Sequence, residues 1–423
     1  MRLNVTSEIG RLRRVMVHLP GREIDTMIPS MMEELLFDDI LYGQAAREEH
    51  RRFQQILWYV ADEVVDLQTL LGELLEDDDA REIVLKDVLR RYPLRKRATD
   101  TLRELEGLAL AEKLIGGIVS EDRKETDPVF ELPPVPNLFF TRDPQVVIGS
   151  SVAISSMATR ARERESLLSH YVFTLHPAFR SGSVVLADRF SGSRRVDERE
   201  ARRLGTIEGG DVLVARRDLL MIGVSERTNR AGVENLATAL RNSGSEIRTV
   251  LLVEIPRQRS YMHLDTVFTF ISQDECLVYP PVVLAGGRWE ANVYEIDLTK
   301  GQLTYTAQKS LLDALRARGL DFKPIPCGGD QRIDQEREQW TDGANAFAMA
   351  PGLILLYERN VHTAEELARN GYHIVYEDDL LLGREELDLK SKSKYAIQIQ
   401  GHELSRARGG PRCMTMPLDR DEM

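Results

Sequence analysis

From Asp143 onward the chain returns four times to one short pattern, and no other feature restricts its fold as much. Each copy has an Asp or Asn, a β-branched run, a tight turn and a second apolar run. The first is Asp143, Val146 to Ile148, the turn Gly149-Ser150, then Val152 to Ile154. The second is Asp211, Val212 to Ala215, the turn Arg216 to Asp218, then Leu219 to Gly223. The third is Asp265, Val267 to Ile271, the turn Ser272 to Glu275, then Cys276 to Tyr279. The fourth is Asn345, Phe347 to Ala350, the turn Pro351-Gly352, then Leu353 to Tyr357. Short apolar runs joined by such turns read as hairpins. In several copies a helix and a further strand follow. In the second copy the helix runs from near Thr228 to Gly244, before the strand Ile247 to Val253. In the fourth a capping box, Thr363 with Glu366, opens a helix that stops at Gly371, and His373 to Tyr376 closes the unit. The strand Arg14 to His18, with Glu63 to Asp66, supplies a candidate fifth unit. Repeated ββαβ units must bury their apolar faces against one another. A ring of them would gather the Asp or Asn of each strand start around one axis.

One stretch breaks the pattern. Leu67 to Lys124 is rich in Leu, Glu, Asp, Lys and Arg, with apolar residues at helical spacing such as Ile83, Val84, Val88 and Leu89. Glu48 to Ala61 before it reads as helix. We therefore expect a helical bundle over 67–128, inserted into an α/β catalytic domain formed by 1–66 and 129–423.

Composition excludes several function classes. Of 423 residues, 42% are hydrophobic and 29% charged, ordinary values for a globular chain. The net charge of -12 argues against a nucleic-acid surface and is compatible with a cationic small molecule. No run of 18 apolar residues predicts a membrane span. Met1 to Gly21 lacks the apolar core of a signal peptide and reads as the start of the folded chain. Three dispersed cysteines, Cys276, Cys327 and Cys413, without a CxxC, fit a reducing compartment, so the expected location is cytoplasmic.

Five polar motifs carry the candidate chemistry: Phe140-Thr141-Arg142-Asp143, Ile207-Glu208-Gly209-Gly210-Asp211, Ser225-Glu226-Arg227-Thr228, His263-Leu264-Asp265, and Gly409-Gly410-Pro411-Arg412-Cys413. A catalytic thiol needs partial exposure and surroundings that support the thiolate. Cys413 follows Arg406, Arg408 and Arg412, which favours a nucleophile over a buried structural cysteine. Cys276 and Cys327 sit in apolar or turn settings and read as structural. His263 precedes Asp265 by two, an arrangement that on a strand puts both side chains on one face. Glu208 and Asp211 come from the neighbouring repeat and would orient the imidazole. Taken alone, Glu208-Gly-Gly-Asp211 is an ordinary turn, and the histidine an ordinary structural one. Together, carboxylates converging on one thiol and one imidazole suit a planar cation with several N–H donors. Guanidinium is that cation. A metal reading is weaker, because no second His lies close in the repeat pattern.

These motifs together resemble the arginine deiminases of the guanidine-modifying superfamily. The similarity also takes in Ser7-Glu8-Ile9-Gly10 through Pro20-Gly21-Arg22-Glu23, the run Glu34 to Leu41, Glu336-Arg337-Glu338-Gln339-Trp340 and the ending Cys413-Met414-Thr415-Met416-Pro417. The resemblance implies a five-bladed, pseudo-symmetric ββαβ propeller with a helical insertion. It implies hydrolysis of free L-arginine to L-citrulline and ammonia through a covalent thiouronium on Cys413, without cofactor or metal. His263 would act as acid and then base, supported by Glu208. Asp143 and Asp265 would hold the guanidinium. Asn137, Arg162, Arg227, Arg408 and Asp211 would bind the rest of the substrate. A homo-oligomer is implied as well. Ala407 stands where the family usually has glycine, and Pro280 to Lys300 departs from the pattern. Arg160, Arg162 and Arg164 lie so close together that the sequence leaves the choice among them open.

Other readings remain. The substrate class extends to methylarginine, agmatine or peptidyl arginine, of which agmatine lacks the carboxylate that arginine side chains would bind. An amidinotransferase would need an amine acceptor. A metallohydrolase would lose activity to a chelator. A non-catalytic binding protein would be expected to lack one of the catalytic groups, and none is missing.

Overall fold

The computed structural model describes residues 1–120, 129–179, 182–186, 203–389 and 393–423. It has a mixed α/β fold in which, among the described residues, five sheets have three or more strands and a sixth is a two-stranded ribbon. Leu12–Val17 is the centre of one sheet, parallel to Glu63–Asp66 and antiparallel to Met416–Arg420. The two ends of the chain therefore meet. Met416–Arg420 is an edge strand, which is where Pro417 is tolerated, because it has no N–H to give.

All four expected hairpins form. They are Gln145–Ile148 with Ser151–Ile154, Val212–Arg216 with Leu219–Val224, Phe268–Phe270 with Glu275–Val278, and Phe347–Ala350 with Leu353–Tyr357. Each hairpin's second strand pairs in parallel with a third: Ser183–Val185, Thr249–Glu254, Lys323–Pro326 and Lys394–Ile399 respectively. Helices Glu163–Leu175, Arg230–Asn242, Leu311–Ala317 and Val361–Arg369 lie between hairpin and third strand. The stretch Pro280 to Lys300 widens the second sheet, since Asn292–Asp297 runs antiparallel to Thr249–Glu254.

The fourth unit departs from expectation twice. Its hairpin is followed in space by Lys394–Ile399, and Tyr372–Tyr376 is pushed to the edge. The last four residues of Lys394–Ile399 are all buried, whereas only Tyr372 and Val375 of Tyr372–Tyr376 are, so the more buried strand takes the inner place. The capping box does not form either. Val361–Arg369 starts before Thr363, and the carboxylate of Glu338 accepts the N–H groups of His362 and Thr363 at 2.8 Å each. A cap delivered from another helix replaces the local one.

The helices Leu67–Leu75, Asp78–Arg91, Lys96–Glu104 and Gly107–Gly116 begin where Asp66 ends a strand. One oxygen of Asp66 accepts the N–H of Gln68 and Thr69, and the other accepts that of Leu19. Gly72 lets two of these helices cross closely; a Cβ there would sit 3.1 Å from Leu108 Cα. The bundle shares its core with the sheets, because Leu71, Leu74 and Leu114 belong to one apolar cluster with Val146, Val152 and Val172. The expected end of the insertion, 121–128, lies outside the described residues. Among the described residues, no helix is long and apolar enough to cross a membrane.

Candidate functional site

Single 3-10 turns, Gly209–Asp211 and Leu264–Thr266, stand just before the hairpins of the second and third units, and Pro136–Phe139 stands a few residues before the first. They aim Glu208, Asp211, His263 and Asp265 inward, while Asp143 arrives from the loop between Pro136–Phe139 and its hairpin. His263 and Asp265 therefore do not share a strand face. The turn wins over the extended form because Asp211 Oδ1 accepts the Leu264 N–H at 2.8 Å and Thr266 Oγ1 donates to the His263 carbonyl. The Gly-Gly pair has a steric reason: a Cβ on Gly210 would lie 2.6 Å from His263 Nδ1 and 2.9 Å from Asp143 Oδ1.

The nucleophile loop follows the 3-10 turn Leu404–Ala407. Arg408 takes a left-handed conformation, φ 65°, which favours glycine and costs other residues about 1–2 kcal/mol. Cys413 is only 5% exposed, and its thiol donates to Asp265 Oδ2 at 3.7 Å. The nearby arginines have partners other than the sulfur. Arg406 pairs with Asp39 and Glu403, Arg412 with Glu8 and Asp265, and Arg408 lies over the Trp340 ring, 3.4 Å from its centroid. Burial, with Asp265, Asp143 and Asp342 nearby, pushes the thiol well above its ordinary pKa. The expected exposed, electropositive cysteine is thus corrected: the sulfur is enclosed and surrounded by negative charge. Sequence neighbours were a poor guide because an arginine's stem is long enough to reach a partner elsewhere. Cys276 and Cys327 are fully buried, as expected of structural cysteines, Cys276 in an apolar cluster and Cys327 beside the Thr363 hydroxyl.

Asp143 and Asp265 are arranged alike. Asp143 Oδ2 is held by Arg162 Nη1 at 2.7 Å, and Asp265 Oδ2 by Arg412 Nη1 at 2.8 Å. In each, Oδ1 is buried and accepts no hydrogen bond. His263 Nε2 lies 2.8 Å from Glu208 Oε2, and its Nδ1 is 3.7 Å from Asp143 Oδ1. Burial opposes charge on this imidazole, yet Asp143, Glu208 and Asp211 outweigh it and raise His263 to about 9. Burial likewise works against the Glu208 charge, but His263, Arg227 and Arg162 prevail and lower its pKa. Both oxygens of Asp211 are occupied, by Leu264 N–H and by the Ser225 hydroxyl at 2.7 Å, and burial pushes it up to about 7. Asp211 does not line the cavity.

That cavity is small, about 20 Å³ as measured by the centres of water-sized spheres. Room for roughly one water remains. Its lining includes Asn137, Asp143, Arg162, Arg227, His263, Arg408 and Cys413, and also Leu36 and Arg259, which the sequence reading did not select. Arg162 is the one of the three neighbouring arginines that reaches the cavity; Arg164 instead lies over Tyr92. Arg162 also holds Glu165 at 2.7 Å, so its donors are turned to carboxylates of the protein. Asn137 donates its Nδ2 to the Leu35 carbonyl. Nε and Nη1 of Arg227, and all three nitrogens of Arg408, are buried without an acceptor. Arg259 pairs with Asp38, and its Nη1 is buried without an acceptor too. Its signal was faint, a lone arginine outside every motif.

Among the described residues, Asp143, Glu208 and His263 form one group whose donor atoms lie within 4.8 Å of one another, close enough for a metal ion. Arg162, bound to Asp143 and 3.6 Å from Glu208, already places a permanent cation among them.

The arginine deiminase family model matches residues 33–420. The chain is 35% identical, over 443 aligned positions, to the arginine deiminase of Streptococcus pyogenes serotype M49 (strain NZ131), with 100% of this chain and 98% of the relative covered. It belongs to the arginine deiminase family. A second S. pyogenes arginine deiminase matches at the same identity and coverage. Among solved structures, SxtG, an amidinotransferase from Microseira wollei, is 12% identical with a TM-score of 0.54, covering 100% of this chain and 98% of that one. The N-terminal domain of ArgZ, a cyanobacterial arginine dihydrolase, is 14% identical with a TM-score of 0.50, covering 96% and 97%. At those identities the likeness is one of fold. Family membership comes from the sequence, and it fits a site in which thiol, imidazole and carboxylates converge.

Proposed function

We propose that this chain hydrolyses free L-arginine to L-citrulline and ammonia. The observation that carries the reading is the convergence of Cys413, His263 and Asp143 on one cavity, with two open carboxylate oxygens, Asp143 Oδ1 on its wall and Asp265 Oδ1 in the carboxylate that meets the Cys413 thiol. A planar guanidinium offers N–H groups in fixed directions, and two buried acceptors anchored on their far side suit it. Its positive charge would offset the negative surroundings of the thiol and favour the thiolate on binding.

The sulfur of Cys413 attacks the guanidinium carbon, forming an S–C bond. His263, an imidazolium below about pH 9, gives a proton to one terminal nitrogen. The C–N bond breaks, ammonia leaves, and a thiouronium remains on the sulfur. Neutral His263 then takes a proton from water, whose oxygen adds to the same carbon. The S–C bond breaks, the thiolate returns, the second proton of the water passes to solvent and so to the released ammonia, and the ureido product departs as citrulline. Glu208 and Asp211 position and charge the imidazole. The unpaired donors of Arg227 and Arg408 suit the α-carboxylate, which favours arginine over agmatine. Arg162, with Asn137, would contribute only by turning from its present partners.

The same reading closes the five sheets into a pseudo-symmetric five-bladed propeller, with 67–128 as its insertion, and implies a cytoplasmic homo-oligomer using no cofactor. Five hairpin or hairpin-like sheets whose leading loops converge support the ring. The test is citrulline and ammonia release from L-arginine, with a chelator control and with agmatine and methylarginine as competitors. Chelator-sensitive release, or turnover confined to agmatine, would overturn it.

A further inference from the structure

The fourth repeat unit carries an amide where the other three carry an acid. Asn345 stands at the strand start, at the position that Asp143, Asp211 and Asp265 occupy in the first three units. It is fully buried. Its Oδ1 accepts the backbone N–H of Arg412 at 3.1 Å and of Cys413 at 3.2 Å, and its Nδ2 donates to the Asp265 carbonyl at 3.1 Å. The fit is close: a Cβ on Gly410 would lie 2.7 Å from Asn345 Oδ1. Asp211 does the matching task in the second unit, where its Oδ1 accepts the N–H of Leu264, next to His263.

We propose that Asn345 is a positioning residue for Cys413, and that it is an amide because the residue whose backbone it holds must carry an anionic side chain. The proposal rests on the nucleophilic role given to Cys413 above. An acid beneath His263 favours the cation that the imidazole must be. An acid beneath Cys413 would accept the same two N–H groups, but would add negative charge beside a sulfur already faced by Asp265 Oδ2 at 3.7 Å. A like charge at such range disfavours ionisation. It would also set a carboxylate oxygen against the Asp265 carbonyl, where Nδ2 now donates. The amide supplies the acceptor without the charge. The repeat thus uses one position in two ways, each matched to the catalytic group it supports.

The test is Asn345→Asp, nearly isosteric, compared with Asn345→Ala. Thiolate formation is read by the ultraviolet absorbance of Cys413, as the difference from a Cys413→Ser background, and turnover by citrulline release. The thiolate measurement does not depend on which guanidine is the substrate, so a failed substrate assignment remains distinguishable. In Asn345→Asp the pH of thiolate formation should rise by roughly 1–3 units, and kcat at neutral pH should fall roughly 10- to 1,000-fold with KM little changed. In Asn345→Ala kcat should fall without that rise. Native thiolate titration in Asn345→Asp, or native kcat in Asn345→Ala, would overturn the proposal. Should Asn345→Asp fail to fold, Asn345→Ser serves: kcat above that of the alanine variant supports the acceptor role, and equal kcat overturns it.

Discussion

Asp143 and Asp265, the anchored wall of the site beside His263 and Cys413, and Arg227 and Arg408, its unanchored wall, all present unused hydrogen-bonding atoms, but on different terms. Each aspartate gives one oxygen to an arginine of the protein, Arg162 or Arg412, and keeps the other open. Arg408 has no such anchor; its guanidinium rests on an aromatic face and its backbone is left-handed. The anchored wall is fixed before substrate arrives, as groups facing developing charge must be. The unanchored wall gains partners only when an anion enters. Under the proposed function, chemistry falls to the rigid side and recognition to the adaptable side.

The largest expected effect lies on the rigid side. Cys413→Ala should lower citrulline release on the order of 10⁴-fold or more, because no other group can form the S–C bond. Next come Asp143→Asn and Asp265→Asn, each with kcat/KM reduced roughly 100- to 1,000-fold, since one partner of a buried charge pair is lost. Steady-state kinetics would check both. Equal losses from Arg227→Ala would erase the contrast between the walls.

The pH profile sharpens it further. His263 is raised from 6.5 to about 9, so its imidazolium persists through neutral pH and is lost as pH rises through 9. Turnover should then fall about tenfold per unit above that pH. The stability it contributes should be full below its unfolded value and vanish over the same rise. Melting temperature against pH, compared with His263→Asn, reads this directly.

Smaller effects belong to the other wall. Arg227→Ala and Arg408→Ala should raise KM for arginine about 10- to 100-fold, the loss of a charged hydrogen-bonding partner, while leaving KM for agmatine nearly unchanged. Smallest is Trp340→Leu. Loss of the cation–π contact, about 0.5–2 kcal/mol, should alter KM by no more than roughly thirtyfold in either direction.

Sequence alone determined the hairpins, since a β-branched run, a turn and a second run leave a chain few other ways to bury both runs. It also brought out Asp143 and Asp265, which stand at the same point of a repeat, and Cys413, His263 and Glu208, which stand in short polar motifs. Membership of the family was legible in those motifs taken together. Tertiary structure decided what each charged side chain does. Glu338 caps a helix remote in sequence, Arg412 turns from the thiol to Glu8 and Asp265, and Arg162 faces Asp143 and Glu165. It also decided that the thiol is enclosed and that Asn345 lies beneath it. Short apolar patterns are read locally, because burial needs only a face. Long charged side chains choose among all partners within reach, and only the folded chain says which those are.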